Sequence, residues 1–121
     1  MFGTVPSFMR HFPDAAVAGA WKQMKLVEMN PNGAVPPKFK SLISLAVAAQ
    51  IPCAYCVYAD AELAKIDGTT QAELDAAVAV SALVRHWSTY LNGLALDEDA
   101  FRKEVDGIVD FLKKKTESTK K

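Results

Sequence analysis

At 121 residues the chain is long enough for one domain with a modest core. Half of its residues are hydrophobic, and 14 Lys and Arg balance 14 Asp and Glu, so it has no basic excess with which to meet nucleic-acid phosphates. The N-terminus, Met1 to Pro6, lacks a charged region followed by a long apolar one, and the longest apolar stretch, Leu42 to Ala49, is far too short to cross a bilayer. These features predict a cytoplasmic protein with no nucleic-acid or membrane partner, whose thiols are mostly reduced at rest.

No sustained period-2 alternation is present, so the fold class read from the pattern is all-α. A first helix is expected from Pro13-Asp14, with Val17, Trp21, Met24 and Val27 as its apolar stripe. Pro31 to Pro37 ends it as a linker. The second helix is expected from Pro37 to Gln50. It is apolar on nearly all sides from Leu42 to Ala49, which predicts burial all round, a state most easily reached if subunits pack together.

Ile51-Pro52 breaks that helix, and a third is expected from Cys53 to Ile66-Asp67, stopped by Gly68. Thr70-Gln71-Ala72-Glu73 matches a capping box and opens a fourth, reaching Asn92-Gly93. A fifth is expected from Asp97 to Lys115, with Phe101, Val105, Ile108, Val109 and Leu112 on one face. The lysines that follow read as a solvated helix end and, over 116–121, a flexible basic tail. One domain over 1–121, with a core at about 14–112, is the expected organisation.

The chain has two cysteines, Cys53 and Cys56, at the start of the third helix. At this spacing two thiols can close a disulfide with little backbone movement and so cycle between dithiol and disulfide. Exposed N–H groups at a helix N-terminus favour thiolate, the nucleophilic form, and either cysteine can be the attacker. A thiolate that attacks a peroxide becomes a sulfenic acid, which the second thiol converts to a disulfide, and an external reductant must reopen that bond. The inert alternative is a pair of small packed residues. A metal site is not expected, since His11 and His86 form no ligand cluster with the pair, and no organic cofactor is implied.

The segments Val35 to Ala49, Cys53 to Ala59, Gly68 to Leu74 and Ala76 to Val80 resemble the alkylhydroperoxidase D-like branch of the carboxymuconolactone decarboxylase family. The resemblance covers about residues 35–93 and implies compact all-α subunits of about five or six helices that assemble into homo-oligomers, trimers or hexamers. It further implies a small hydroperoxide as substrate and an external dithiol as reductant. By position it assigns Cys56 as the attacking thiol and Cys53 as the resolving one.

In the family's peroxidases a Glu lies twelve residues before the first cysteine and a His four after the second, and these relay a proton off the attacking thiol. Here those positions are Ser41 and Asp60. An ionised Asp60, one turn beyond Cys56, disfavours the thiolate, and a protonated one is a poor base at neutral pH. Three readings follow: a weak or differently tuned thiol peroxidase, a disulfide reductase or redox sensor, or a fold that has lost the chemistry. His86 can supply the missing imidazole or be an ordinary core or interface histidine. Tyr55 can line the pocket or simply pack, and Asp60 has an ordinary reading as a solvated carboxylate. The lactone decarboxylase activity that names the family ranks last, because Cys-x-x-Cys marks the other branch.

Overall fold

The computed structural model describes residues 3–119, and among them every regular element is a helix. In chain order these are α1 (Ser7–Arg10), α2 (Asp14–Val27), α3 (Pro37–Gln50), α4 (Ala54–Ile66), α5 (Gln71–Leu94) and α6 (Glu98–Thr119). The five expected helices are α2 to α6, and the single turn of α1 is an addition. The chain forms two compact units, one ending at Ala82 and the other beginning at Leu83, so the boundary falls within α5.

In the first unit α3 packs on α4. Leu45 of α3, Ala64 of α4 and Leu74 of α5 are buried together, with Leu42, Val57 and Ala61 packed against them. Ala64, fully buried, lets the helices approach where a larger side chain would hold them apart. Gln50 Nε2 donates to the Ser81 carbonyl at 2.6 Å and to Ser81 Oγ at 2.9 Å, and Ser81 Oγ donates to the Ala46 carbonyl at 3.0 Å. This polar lock between α3 and α5 satisfies a buried hydroxyl that would otherwise oppose burial.

The local signals act as the residue types require. Thr70 and Glu73 cap α5 reciprocally: the Thr70 N–H donates to Glu73 Oε2 at 2.9 Å and the Glu73 N–H to Thr70 Oγ1 at 3.3 Å. Lys38 of α3 meets the same Glu73 at 2.7 Å. Gly68, at φ +79°, turns the chain out of α4 in the left-handed region.

The expectation that α3 is buried all round is corrected within a single chain. Leu45 and Ala48 are buried, whereas Phe39, Ile43 and Val47, spaced four apart on one stripe, are each more than half exposed. A fold with so few layers covers only one face of α3. In α2, Val17, Trp21 and Met24 are half-buried, but Val27 is exposed at the helix end.

In the second unit His86, Trp87 and Tyr90 form a chain of edge-on rings, with centroids 5.3 Å and 6.0 Å apart. Asp97 caps α6 by accepting from the Ala100 N–H at 2.8 Å. The apolar stripe of α6 from Phe101 to Leu112 is exposed in the single chain. This helix continues to Thr119, past its expected end at Lys115 and into the segment expected as a tail, while Lys120 and Lys121 lie outside the described residues.

Candidate active site

Cys53 is the N-cap of α4. Its Sγ accepts a hydrogen bond of 3.2 Å from the Cys56 N–H, one of the donors that a helix start leaves without a backbone partner. The Cys53 N–H itself donates to the Ala48 carbonyl at 3.2 Å, which ties the cap to the end of α3. Cys53 and Cys56 are joined as a disulfide, with Cα atoms 5.3 Å apart, and both are partly buried. The pair is therefore held by the packed α3–α4 layer, and its sulfurs sit at the positive end of a helix dipole.

One turn along α4, Asp60 is half-buried and opens onto a cavity of about 270 Å³. Ser41 lines the same cavity, so the two positions that the resemblance implies for the proton relay are brought together. Ser41 Oγ donates to Asp67 Oδ2 at 2.7 Å. The apolar lining comes from Met24, Met29, Leu63 and Ile66. Glu28 is a further lining residue that the sequence reading passed over. Its only available signal was an acid at the end of a helix, where the dipole disfavours it.

Burial pushes the Asp60 carboxyl above its ordinary range, and the negative charge of Glu28 pushes it further in the same direction. Its side chain has no hydrogen-bond or ion-pair partner among the described residues to offset this. Three acids line the cavity, yet among the described residues no three His, Cys, Asp or Glu are gathered as a metal centre.

Cys53, Cys56, Tyr55 and His86 are not among the residues that line this cavity. Tyr55 is 90 % exposed and Tyr58 is exposed as well, so both flank Cys56 on the outer side of α4. His86 belongs to the second unit, is exposed, and packs edge-on against Trp87.

Among solved structures, the chain is similar to the alkylhydroperoxidase AhpD core from Rhodospirillum rubrum, with 25 % identity and a TM-score of 0.72 over 81 % of this chain and 74 % of that one. No curated protein matches the chain significantly. No helix among the described residues is long and apolar enough to cross a membrane. The family model described as the carboxymuconolactone decarboxylase family matches residues 15–99, spanning α2 to the start of α6, and the chain belongs to that family.

Proposed function

We propose that the protein is a thiol-dependent peroxidase-like oxidoreductase of antioxidant defence, reducing hydrogen peroxide or a small organic hydroperoxide through a Cys53/Cys56 dithiol–disulfide cycle. The observation that carries the reading is the pair itself. Two cysteines close as a disulfide at the head of α4, within a family and fold shared with an alkylhydroperoxidase core.

Cys56 is assigned the attack and Cys53 the resolution. The Cys56 thiolate takes the terminal hydroxyl of the hydroperoxide, the O–O bond breaks, and the alcohol leaves after gaining a proton. The Cys53 thiol then displaces that hydroxyl as water and forms the disulfide. An external dithiol supplies two electrons and two protons to restore both thiols, itself becoming a disulfide. The cytoplasm, where such donors are kept reduced, is the compartment this cycle needs.

Asp60 and Ser41 tune the proton transfers. Tyr55, exposed beside Cys56, meets substrate or reductant at the surface. The working form in this reading is a homo-oligomer, a trimer or hexamer. The exposed stripe of Phe39, Ile43 and Val47 on α3 supports it, because a contiguous apolar face of this kind is normally covered.

The test is the stopped-flow rate of the reduced protein with a hydroperoxide, with free thiols counted before and after. Loss of both thiols well above the rate of free cysteine, abolished in Cys56→Ser, is the expected result. Thiol loss at the free-cysteine rate sinks the assignment.

A second reading is a redox sensor whose pair switches assembly. It is favoured by Tyr55 and Tyr58, which place exposed aromatic surface beside the disulfide. In that case oxidation changes the oligomer on gel filtration without catalytic peroxide turnover. Lactone decarboxylation is the least favoured reading.

A further inference from the structure

Glu28 is the residue that follows the last turn of α2. Lys40 of α3 fixes that segment: its ammonium donates to the Val27 carbonyl and to the Asn30 carbonyl, each at 2.8 Å, on either side of Glu28. A cation at these carbonyls is favoured by the helix dipole, so α2 ends where α3 holds it. The consequence is that Glu28 is held at the cavity Asp60 opens onto.

The other polar groups of that cavity are engaged elsewhere. The Lys40 ammonium is committed to the two carbonyls, and the Ser41 hydroxyl is given to Asp67. The carboxylates of Glu28 and Asp60 have neither a hydrogen bond nor an ion pair among the described residues, and they interact with each other through their charges. Asp60 also shares a face of α4 with Cys56, one turn away.

We propose that Glu28 is a positioning residue for the peroxidase reaction, an inference that rests on the reading above: its negative charge, held at the cavity beside Asp60, makes Asp60 the group that takes the Cys56 proton and returns it to the leaving oxygen. An ordinary carboxylate is too weak a base for a thiol at neutral pH. Burial and Glu28 both strengthen this one.

The steps balance. Asp60 carboxylate accepts the proton of Cys56 Sγ–H, giving a neutral acid and a thiolate. The thiolate forms an S–O bond to the terminal oxygen of the hydroperoxide as the O–O bond breaks. The leaving alkoxide takes the proton back from Asp60 and departs as the alcohol, and Cys53 then resolves the sulfenic acid with loss of water. Because Asp60 is neutral while Cys56 is charged, the like-charge repulsion expected from an aspartate at this position is absent from the reactive state.

The test uses the full chain in two forms. In the disulfide form, where neither cysteine titrates, the Asp60 carboxyl is followed by carbon-13 NMR in the wild type, Glu28→Gln and Glu28→Asp. In the reduced form, the pH profile of peroxide-driven thiol loss is measured for the same proteins, for Asp60→Asn and for Asp60→Asn combined with Glu28→Gln. Asp60 should titrate at lower pH in Glu28→Gln and near the wild-type position in Glu28→Asp. The acid limb of the rate profile should move with it, the plateau rate should fall, and Glu28→Gln should add nothing once Asp60 is Asn. An unmoved Asp60 titration, or a moved titration with an unmoved rate profile, overturns the role of Glu28. A wild-type protein that loses thiols only at the free-cysteine rate overturns the peroxidase reading, and this role with it, by a separate result.

Discussion

Ser41 donates a 2.7 Å hydrogen bond to Asp67, and that bond holds a carboxylate from beyond the end of α4 at the cavity wall, beside the α3 position where the family resemblance implies a charged glutamate. The serine lacks the charge, but its hydroxyl holds a residue that has it. A Glu at position 41 would lose this bond and face Asp67 as a like charge. Asp60→His alone should therefore raise the peroxide rate, with the Asp67 carboxylate already in the cavity to support an imidazolium. Ser41→Glu alone should give no gain and should lower the melting temperature. Stopped-flow rates and thermal unfolding of the two single variants check this, and an Asp60→His protein no faster than wild type sinks it.

Asp60 also leaves a mark on stability. Its carboxyl is pushed up from the ordinary 3.8, first by burial and then by Glu28, so folding favours the protonated form. Such a group opposes folding once pH rises through its folded-state value, and the opposition disappears below the unfolded-state value. Asp60→Asn keeps the shape without the charge. It should raise the melting temperature of the disulfide form at neutral pH, and the gain should vanish as pH falls below about 3.8. An equal gain at both pH values would assign the effect to packing instead of ionisation.

The helical skeleton was legible in the sequence because each boundary carries its own chemistry. Pro37, the Cys53 cap, Gly68 and the Thr70–Glu73 box act locally, and the helices begin or end within two residues of them. Cys53 and Cys56 stood out as a pair because their spacing along the chain is fixed, whereas Ser41 and Asp60 were singled out only through the family resemblance. Glu28 was not, because it reaches the cavity only through the packing of α2 against the rest of the unit and the reach of Lys40. The exposed stripe on α3 was misread for the opposite reason: apolar composition specifies that a face seeks cover without saying whether one chain provides it.

Glu73 gives an acid-stability prediction of opposite sign. Its carboxyl is held down at about 2, chiefly by the hydrogen bond from Lys38 and then by the Thr70 N–H and hydroxyl. Folding favours its charged form, so its contribution is present above the ordinary value of 4.5 and is lost as pH falls from there towards about 2. The pair is solvent-screened and its contribution small. Glu73→Gln should melt below wild type at neutral pH, and the two curves should converge at about pH 2. A constant gap across that window would contradict the assignment.

Two helix exits make a matched test of backbone strain. Gly68 leaves α4 at φ +79° with no atom within 4 Å of where a Cβ would stand. Gly68→Ala should therefore cost only the left-handed conformation, about 1 kcal/mol. Ala95 leaves α5 at φ +49° and already bears that cost. Ala95→Gly should recover about 0.5–1 kcal/mol. Chemical denaturation of both variants checks the pair, and shifts of the same sign would overturn the backbone account.

Thr69 follows Gly68 at the turn into α5 and is only 6 % exposed. Its N–H is satisfied by the Ala64 carbonyl at 3.0 Å, but its hydroxyl has no partner among the described residues. A buried hydroxyl without a partner keeps its desolvation penalty and gives nothing back, which costs about 1–3 kcal/mol. Valine has nearly the same shape and lacks the group. Thr69→Val should therefore stabilise the fold by about 1 kcal/mol, leaving peroxide kinetics unchanged because Thr69 is not among the cavity-lining residues. Destabilisation by this substitution would mean that the hydroxyl is bonded in solution, and an ordered water at the turn is the partner to look for.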